Sequence, residues 1–124
     1  MNKKKLLIVE DEVLILRSLQ SLLTKRGAEV DGVTNGVEAI KLIREGNYDR
    51  VICDLMLKDI TGFEVIEETK NYLNDRSLSD TFIIITAYSS EQILERASKY
   101  GCPVLSKPFE DMSAALKLFL GDEL

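Results

Sequence analysis

Short apolar runs alternate along the chain with longer segments in which apolar residues recur at helical spacing. Lys5 to Val9 reads as a buried strand. Asp11 to Arg26 reads as a helix with Ile15, Leu19, Leu22 and Leu23 on one stripe, and Gly27 supplies its stop. A second strand covers about Ala28 to Val33. Asn35 with Glu38 has the spacing of a capping box and opens a helix that ends near Gly46. Arg50 to Asp54 is the third strand, and Thr61 with Glu64 caps a helix through about Leu73. Asn74 to Asp80 is polar and turn-like. Thr81 to Thr86, with three consecutive isoleucines, is the clearest strand in the chain. Ser89 and Gln92 open a fourth helix that stops at Gly101. Pro103 to Ser106 is a short last strand, its proline tolerable at a sheet edge. Met112, Ala115, Leu116 and Phe119 give the last helix its buried face.

This pattern is β-α repeated five times, with no internal repeat, linker or low-complexity segment. Such alternation implies an α/β fold: a parallel five-stranded sheet covered by helices on both faces. Right-handed crossovers restrict it to a doubly wound sheet, whose functional site lies at the carboxyl ends of the strands. The 124 residues fit one domain, expected to span 1–124 with no second, output domain in the chain.

Composition narrows the function classes. Hydrophobic residues make up 45% and charged residues 30%, values that argue against disorder. The net charge is -5 and only Lys3, Lys4 and Lys5 cluster, so direct nucleic-acid binding is not expected. Cys53 and Cys102 form no CxxC pair and the chain has no histidine, which excludes the common zinc sites. Cys53 sits in an apolar run and reads as a small buried residue. Leu6 to Val9 is too short for a signal-peptide core, and no stretch reaches membrane-spanning length. The final Gly121-Asp122-Glu123-Leu124 lacks the leading lysine of an ER-retention tail. The expectation is a cytoplasmic protein without a membrane partner.

Chemistry-bearing residues follow the strands. Glu10, Asp11 and Glu12 come after the first, Asp54 ends the third, Thr86 ends the fourth, and Lys107-Pro108 follows the fifth. Singly each has an ordinary explanation, since acids after a strand often just stabilise the first turn of a helix. Jointly, they place carboxylates, a hydroxyl and an ammonium on one rim of the sheet. Carboxylates at close range repel and need cations. Lys107 offers one charge, and a hard divalent ion held by oxygen ligands would supply the rest, which fits Mg²⁺.

Leu7-Ile8-Val9-Glu10-Asp11-Glu12, then Cys53-Asp54-Leu55-Met56-Leu57, then Thr86-Ala87, then Lys107-Pro108-Phe109 resemble the successive signatures of bacterial response-regulator receiver domains. The resemblance covers essentially the whole chain and implies the flavodoxin-like (βα)5 sheet with strand order 2-1-3-4-5. It implies that Asp54 is the phosphoacceptor, attacking the phosphohistidine of a sensor histidine kinase or histidine phosphotransfer protein. Glu10 and Asp11 match the acidic pair that holds Mg²⁺ (or Mn²⁺), Glu10 through water. Asp54 shares that metal, and Met56 matches the position that offers it a backbone carbonyl. Lys107 matches the lysine that pairs with Asp54 and then with the phosphoryl group; Thr86 matches the hydroxyl that swings toward that group. The Lys107-Pro108 bond is cis in the family. Phosphorylation there alters the surface of the fourth helix, fifth strand and fifth helix, which meets an output domain, a partner protein or a second receiver in a phosphorylation-dependent dimer. On this reading the chain is not a turnover enzyme.

Some positions depart from the family pattern. Val104 stands where many receivers have an aromatic residue, and the Gly101 to Lys107 segment is one residue shorter than is typical. Tyr100 either substitutes for that ring or simply ends its helix. Lys58 replaces a frequent proline. Met56 and Tyr88, two positions after Asp54 and Thr86, carry no carboxylate or amide to orient a water, so slow hydrolysis of the acyl phosphate is expected. Leu118 and Leu120 lie off the main stripe of the last helix and serve either an outer contact or ordinary packing. Three other readings compete. A phosphohydrolase with Asp54 as nucleophile would commonly need an acid where Met56 stands. A pseudo-receiver would not need the complete Glu10, Asp11, Asp54, Thr86 and Lys107 set. A flavin-binding flavodoxin would need a phosphate loop where this chain has acids.

Overall fold

The computed structural model describes residues 3–73 and 77–121. Five strand–helix units follow one another: β1 (Lys5–Val9) and α1 (Val13–Lys25), β2 (Glu29–Val33) and α2 (Gly36–Glu45), β3 (Arg50–Asp54) and α3 (Gly62–Thr69), β4 (Phe82–Thr86) and α4 (Glu91–Tyr100), β5 (Val104–Ser106) and α5 (Met112–Leu120). A 3-10 turn at Lys70–Tyr72 and a one-turn helix at Leu78–Thr81 lie between α3 and β4. The strands form one parallel sheet in the order β2-β1-β3-β4-β5, the flavodoxin-like arrangement. Among the described residues, no helix is long and apolar enough to cross a membrane.

The continuous apolar runs follow from burial on both faces of the sheet. Successive strand residues point to opposite sides. Leu7, Val9, Val51, Cys53, Phe82 and Ile84 therefore pack toward Ala39, Phe63, Ile66 and Ala97 of α2, α3 and α4. Leu6, Ile8, Ile52, Ile83 and Ile85 pack toward Leu16, Leu19, Leu23, Leu116 and Phe119 of α1 and α5. Each fully buried isoleucine contributes roughly 1.5–3 kcal/mol. Cys53 is buried in the first of these clusters, as its apolar run implies.

Strand register sets the height of the rim. Val9 pairs with Cys53, Asp54 with Ile85, and Thr86 with Ser106. The chain therefore leaves β1, β3, β4 and β5 at one level.

Several boundaries differ from the sequence expectation. Helix α1 begins at Val13, not Asp11, and its buried stripe is Leu16, Leu19 and Leu23, flanked by half-buried Ile15 and Leu22. Asn35 and Thr61 cap α2 and α3 as expected, accepting from the backbone N–H groups of Glu38 and Glu64. Helix α3 tightens into the 3-10 turn before Leu73. The polar stretch after it falls partly on Asn74 to Arg76, outside the described residues, while Ser77 caps a helical turn that takes Thr81 out of β4. Ser90, not Ser89, caps α4 by accepting from the Ile93 N–H. Gly27 and Gly101, both at positive φ, end α1 and α4. Met112 is 37% exposed, whereas Leu120 is buried at 6%, so the buried face of α5 is Ala115, Leu116, Phe119 and Leu120. Leu118 is half-buried against the same cluster. Of the chain's last four residues, Asp122 to Leu124 lie outside the described residues.

Candidate functional site

The first turn beyond β1 carries Glu10, whose backbone N–H donates to the Val33 carbonyl of β2 at 3.1 Å. Its side chain is fully buried. Glu10 Oε2 accepts from the Glu12 N–H at 3.1 Å, and Oε1 accepts from Lys107 Nζ at 2.7 Å. Asp54, the last residue of β3, places Oδ2 2.9 Å from the same ammonium. Its Oδ1 accepts from the Met56 N–H at 3.2 Å. Lys107 follows β5 and is held there by its backbone N–H, which donates to the Thr86 carbonyl at 2.8 Å. The Lys107-Pro108 bond is cis.

Asp11 completes the group. Glu10, Asp11 and Asp54 offer carboxylate oxygens that all lie within 4.8 Å of one another. One ammonium thus faces three carboxyl groups, a charge imbalance in a partly desolvated place. Burial is the largest influence on Glu10 and raises its pKa to about 7; the Lys107 and Glu12 hydrogen bonds oppose it and the charge of Asp54 reinforces it. For Lys107, burial pushes downward, but the hydrogen bonds to Glu10 and Asp54 outweigh it and the net shift is upward. An all-oxygen donor set with surplus negative charge has the chemistry of a Mg²⁺ site.

Thr86 is fully buried at the same rim, yet its hydroxyl is turned into its own loop. Oγ1 accepts from the Tyr88 N–H at 3.0 Å and donates to the Tyr88 carbonyl at 3.1 Å. The structure therefore brings Glu10, Asp11, Asp54, Lys107 and the Met56 backbone together and leaves the Thr86 hydroxyl engaged beside them. The side chains of Met56 and Tyr88 are 52% and 69% exposed. Val104 is half-buried against the core. Tyr100 does more than end α4: its ring stacks on Phe63 with centroids 5.9 Å apart, and its hydroxyl donates to Glu67 of α3 at 2.6 Å. Sequence reasoning missed the reach of the Asp59 carboxylate to the Gly36 and Val37 N–H groups of α2, since an acid in a loop carries no spacing signal.

Comparison with known proteins agrees with the fold. Residues 6–117 match the family described as the response regulator receiver domain. The polar-differentiation response regulator DivK of Brucella ovis is 32% identical over 123 residues, which cover 96% of this chain and 98% of DivK. The transcriptional regulatory protein ZraR of Klebsiella oxytoca is 33% identical over 106 residues, but those residues span 85% of this chain and only 23% of ZraR. The crystal structure of response regulator TrrA from Thermotoga maritima, in complex with Mg(2+)-BeF, superposes with a TM-score of 0.73 at 32% identity, covering 94% of this chain and 99% of that one. The chain belongs to the response regulator receiver domain family, the phosphoacceptor signalling domains of two-component systems.

Proposed function

We propose that this receiver accepts a phosphoryl group on Asp54 from the phosphohistidine of a sensor histidine kinase or histidine phosphotransfer protein. The observation that carries the reading is the Asp54 carboxylate itself. It stands at the end of β3, gripped by Lys107 and the Met56 N–H, beside two further acids. An Asp54 oxygen attacks phosphorus, the phosphorus–nitrogen bond to the donor imidazole breaks, and an acyl phosphate forms. Phosphoryl transfer leaves little covalent work to the protein, so positioning and neutralising charge dominate. Lys107 is placed to follow that charge, because its ammonium already touches the acceptor carboxylate. Glu10, Asp11, Asp54 and the Met56 carbonyl would hold Mg²⁺, which would neutralise the phosphoryl oxygens when bound.

Thr86 would carry the signal outward. To donate to the phosphoryl group its hydroxyl must release the Tyr88 carbonyl, and that exchange would alter the loop leading into α4. The surface of α4, β5 and α5 is the proposed output face toward another domain, a partner or a second receiver. With Met56 and Tyr88 flanking the site, no carboxylate or amide at those positions orients a hydrolytic water, and the acyl phosphate is expected to be long-lived.

Incubation with acetyl phosphate and Mg²⁺, followed by intact-mass measurement, tests the assignment. Wild type should gain one phosphoryl group and Asp54→Ala none; equal labelling of both would sink it.

A further inference from the structure

The segment between β3 and α3 folds back on itself. Met56 forms an antiparallel bridge with Thr61, and the Gly62 N–H donates to the Leu55 carbonyl at 2.8 Å. Closure is tight, for a side chain at Gly62 would put its Cβ 2.9 Å from the Asp54 carbonyl oxygen. The tip of this loop rests on a different element. Asp59 Oδ1 accepts from the Gly36 N–H at 2.9 Å, and Oδ2 accepts from the Val37 N–H at 3.0 Å. Asn35 takes the next N–H, that of Glu38, at 2.8 Å. The first turn of α2 is thus capped partly by its own N-cap residue and partly by a carboxylate 22 to 23 positions away. The approach is close beside Asp59 as well: a Cβ at Gly36 would lie 2.4 Å from Ile60 Cγ1. Slight burial pushes the Asp59 carboxyl up, but the hydrogen bonds from Gly36, Val37, Ile60 and its own N–H outweigh it, and it stays below the usual aspartate range.

We propose that Asp59 is a positioning residue for the phosphorylation rim: by tying the β3–α3 loop to the start of α2, it sets the Met56 backbone against Asp54. This rests on the reading of Glu10, Asp11, Asp54 and Met56 as the metal and phosphoacceptor site. The Asp59 carboxylate is turned to the Gly36 and Val37 N–H groups and is not one of the carboxylates gathered at the rim. Its action runs through the loop, whose Met56 N–H holds one Asp54 oxygen. A carboxylate that clamps two N–H groups at once restrains the loop in both translation and rotation, more than a single neutral bond would. Outer partners of this kind commonly govern metal affinity without being ligands.

Titration of the metal-free protein with MgCl₂, followed by isothermal calorimetry and by the amide shift of Met56, tests the role. Asp59→Ala should weaken Mg²⁺ binding about tenfold. Asn35→Ala removes a cap from the same helix without touching the loop, and it should lower the melting temperature while leaving Mg²⁺ affinity at the wild-type value. Asp59→Asn, which keeps one acceptor oxygen, should fall between wild type and Asp59→Ala. Wild-type affinity in Asp59→Ala, or equal losses in Asp59→Ala and Asn35→Ala, would overturn the positioning role. A wild-type chain that binds no Mg²⁺ would overturn the metal reading beneath it.

Discussion

The interior of the sheet and its carboxyl-end rim are one residue apart and obey different rules. Val9 and Glu10 are neighbours in sequence, and both are fully buried. So are Ile85 and Thr86, while Cys53 adjoins the nearly buried Asp54. The interior members are satisfied by volume alone, since any well-packed apolar side chain removes them from water. The rim members are satisfied by particular hydrogen-bond partners, near in the chain for Thr86 with Tyr88 and distant for the two carboxylates with Lys107. Lys107 reaches Glu10 across 97 positions and Asp54 across 53. Apolar packing and paired charge thus fall on adjacent residues at the strand ends. The interior tolerates a change of shape better than a charge; the rim depends on charge.

The largest effect that would sharpen this contrast is Ile84→Ala, at the centre of the sheet. It should cost about 2–5 kcal/mol in urea unfolding, while folded molecules keep the rim chemistry. Next comes Lys107→Ala, which leaves Glu10 and Asp54 without their cation. It should cost about 1–3 kcal/mol in the metal-free state. Added Mg²⁺ should then raise its melting temperature more than that of wild type, because a bound cation replaces the missing charge. A metal-free variant as stable as wild type would break the contrast. The smallest effect belongs to Tyr100→Phe, which removes the surface hydrogen bond to Glu67 and keeps the stack on Phe63. It should change unfolding stability by no more than about 0.5 kcal/mol. A loss as large as that of Lys107→Ala would move the weight of the molecule toward the α3–α4 contact.

Much of the architecture was legible because burial leaves a periodic trace. The bounds of β3 are Arg50–Asp54 in both sequence and structure, and the five β-α units imply the doubly wound parallel sheet that is found, while its strand order was implied by the family resemblance. Caps were less legible. Ser89, the expected cap, and Ser90, the actual one, are chemically identical, and only the path of the chain into α4 selects Ser90. In α5 the helical series from Met112 continues through Leu116 to Leu120, so spacing alone could have included Leu120. Which end of that series is buried depends on how the helix crosses the sheet: Leu120 joins Leu6 and Ile52, and Met112 stays outside. The rim residues were legible as residues that end or follow β1, β3, β4 and β5. Their distances were not, and neither were the engagement of Thr86 with Tyr88 and the reach of Asp59 to α2.

The sequence by itself determined the kind of fold and which side chains gather at its carboxyl rim. Alternating burial and the direction of parallel strands leave few arrangements open. Tertiary structure alone decided which of those side chains touch. Lys107 meets Glu10 and Asp54 only because strand register levels the ends of β1, β3 and β5, and a hydrogen bond is a matter of tenths of an ångström that no residue spacing encodes.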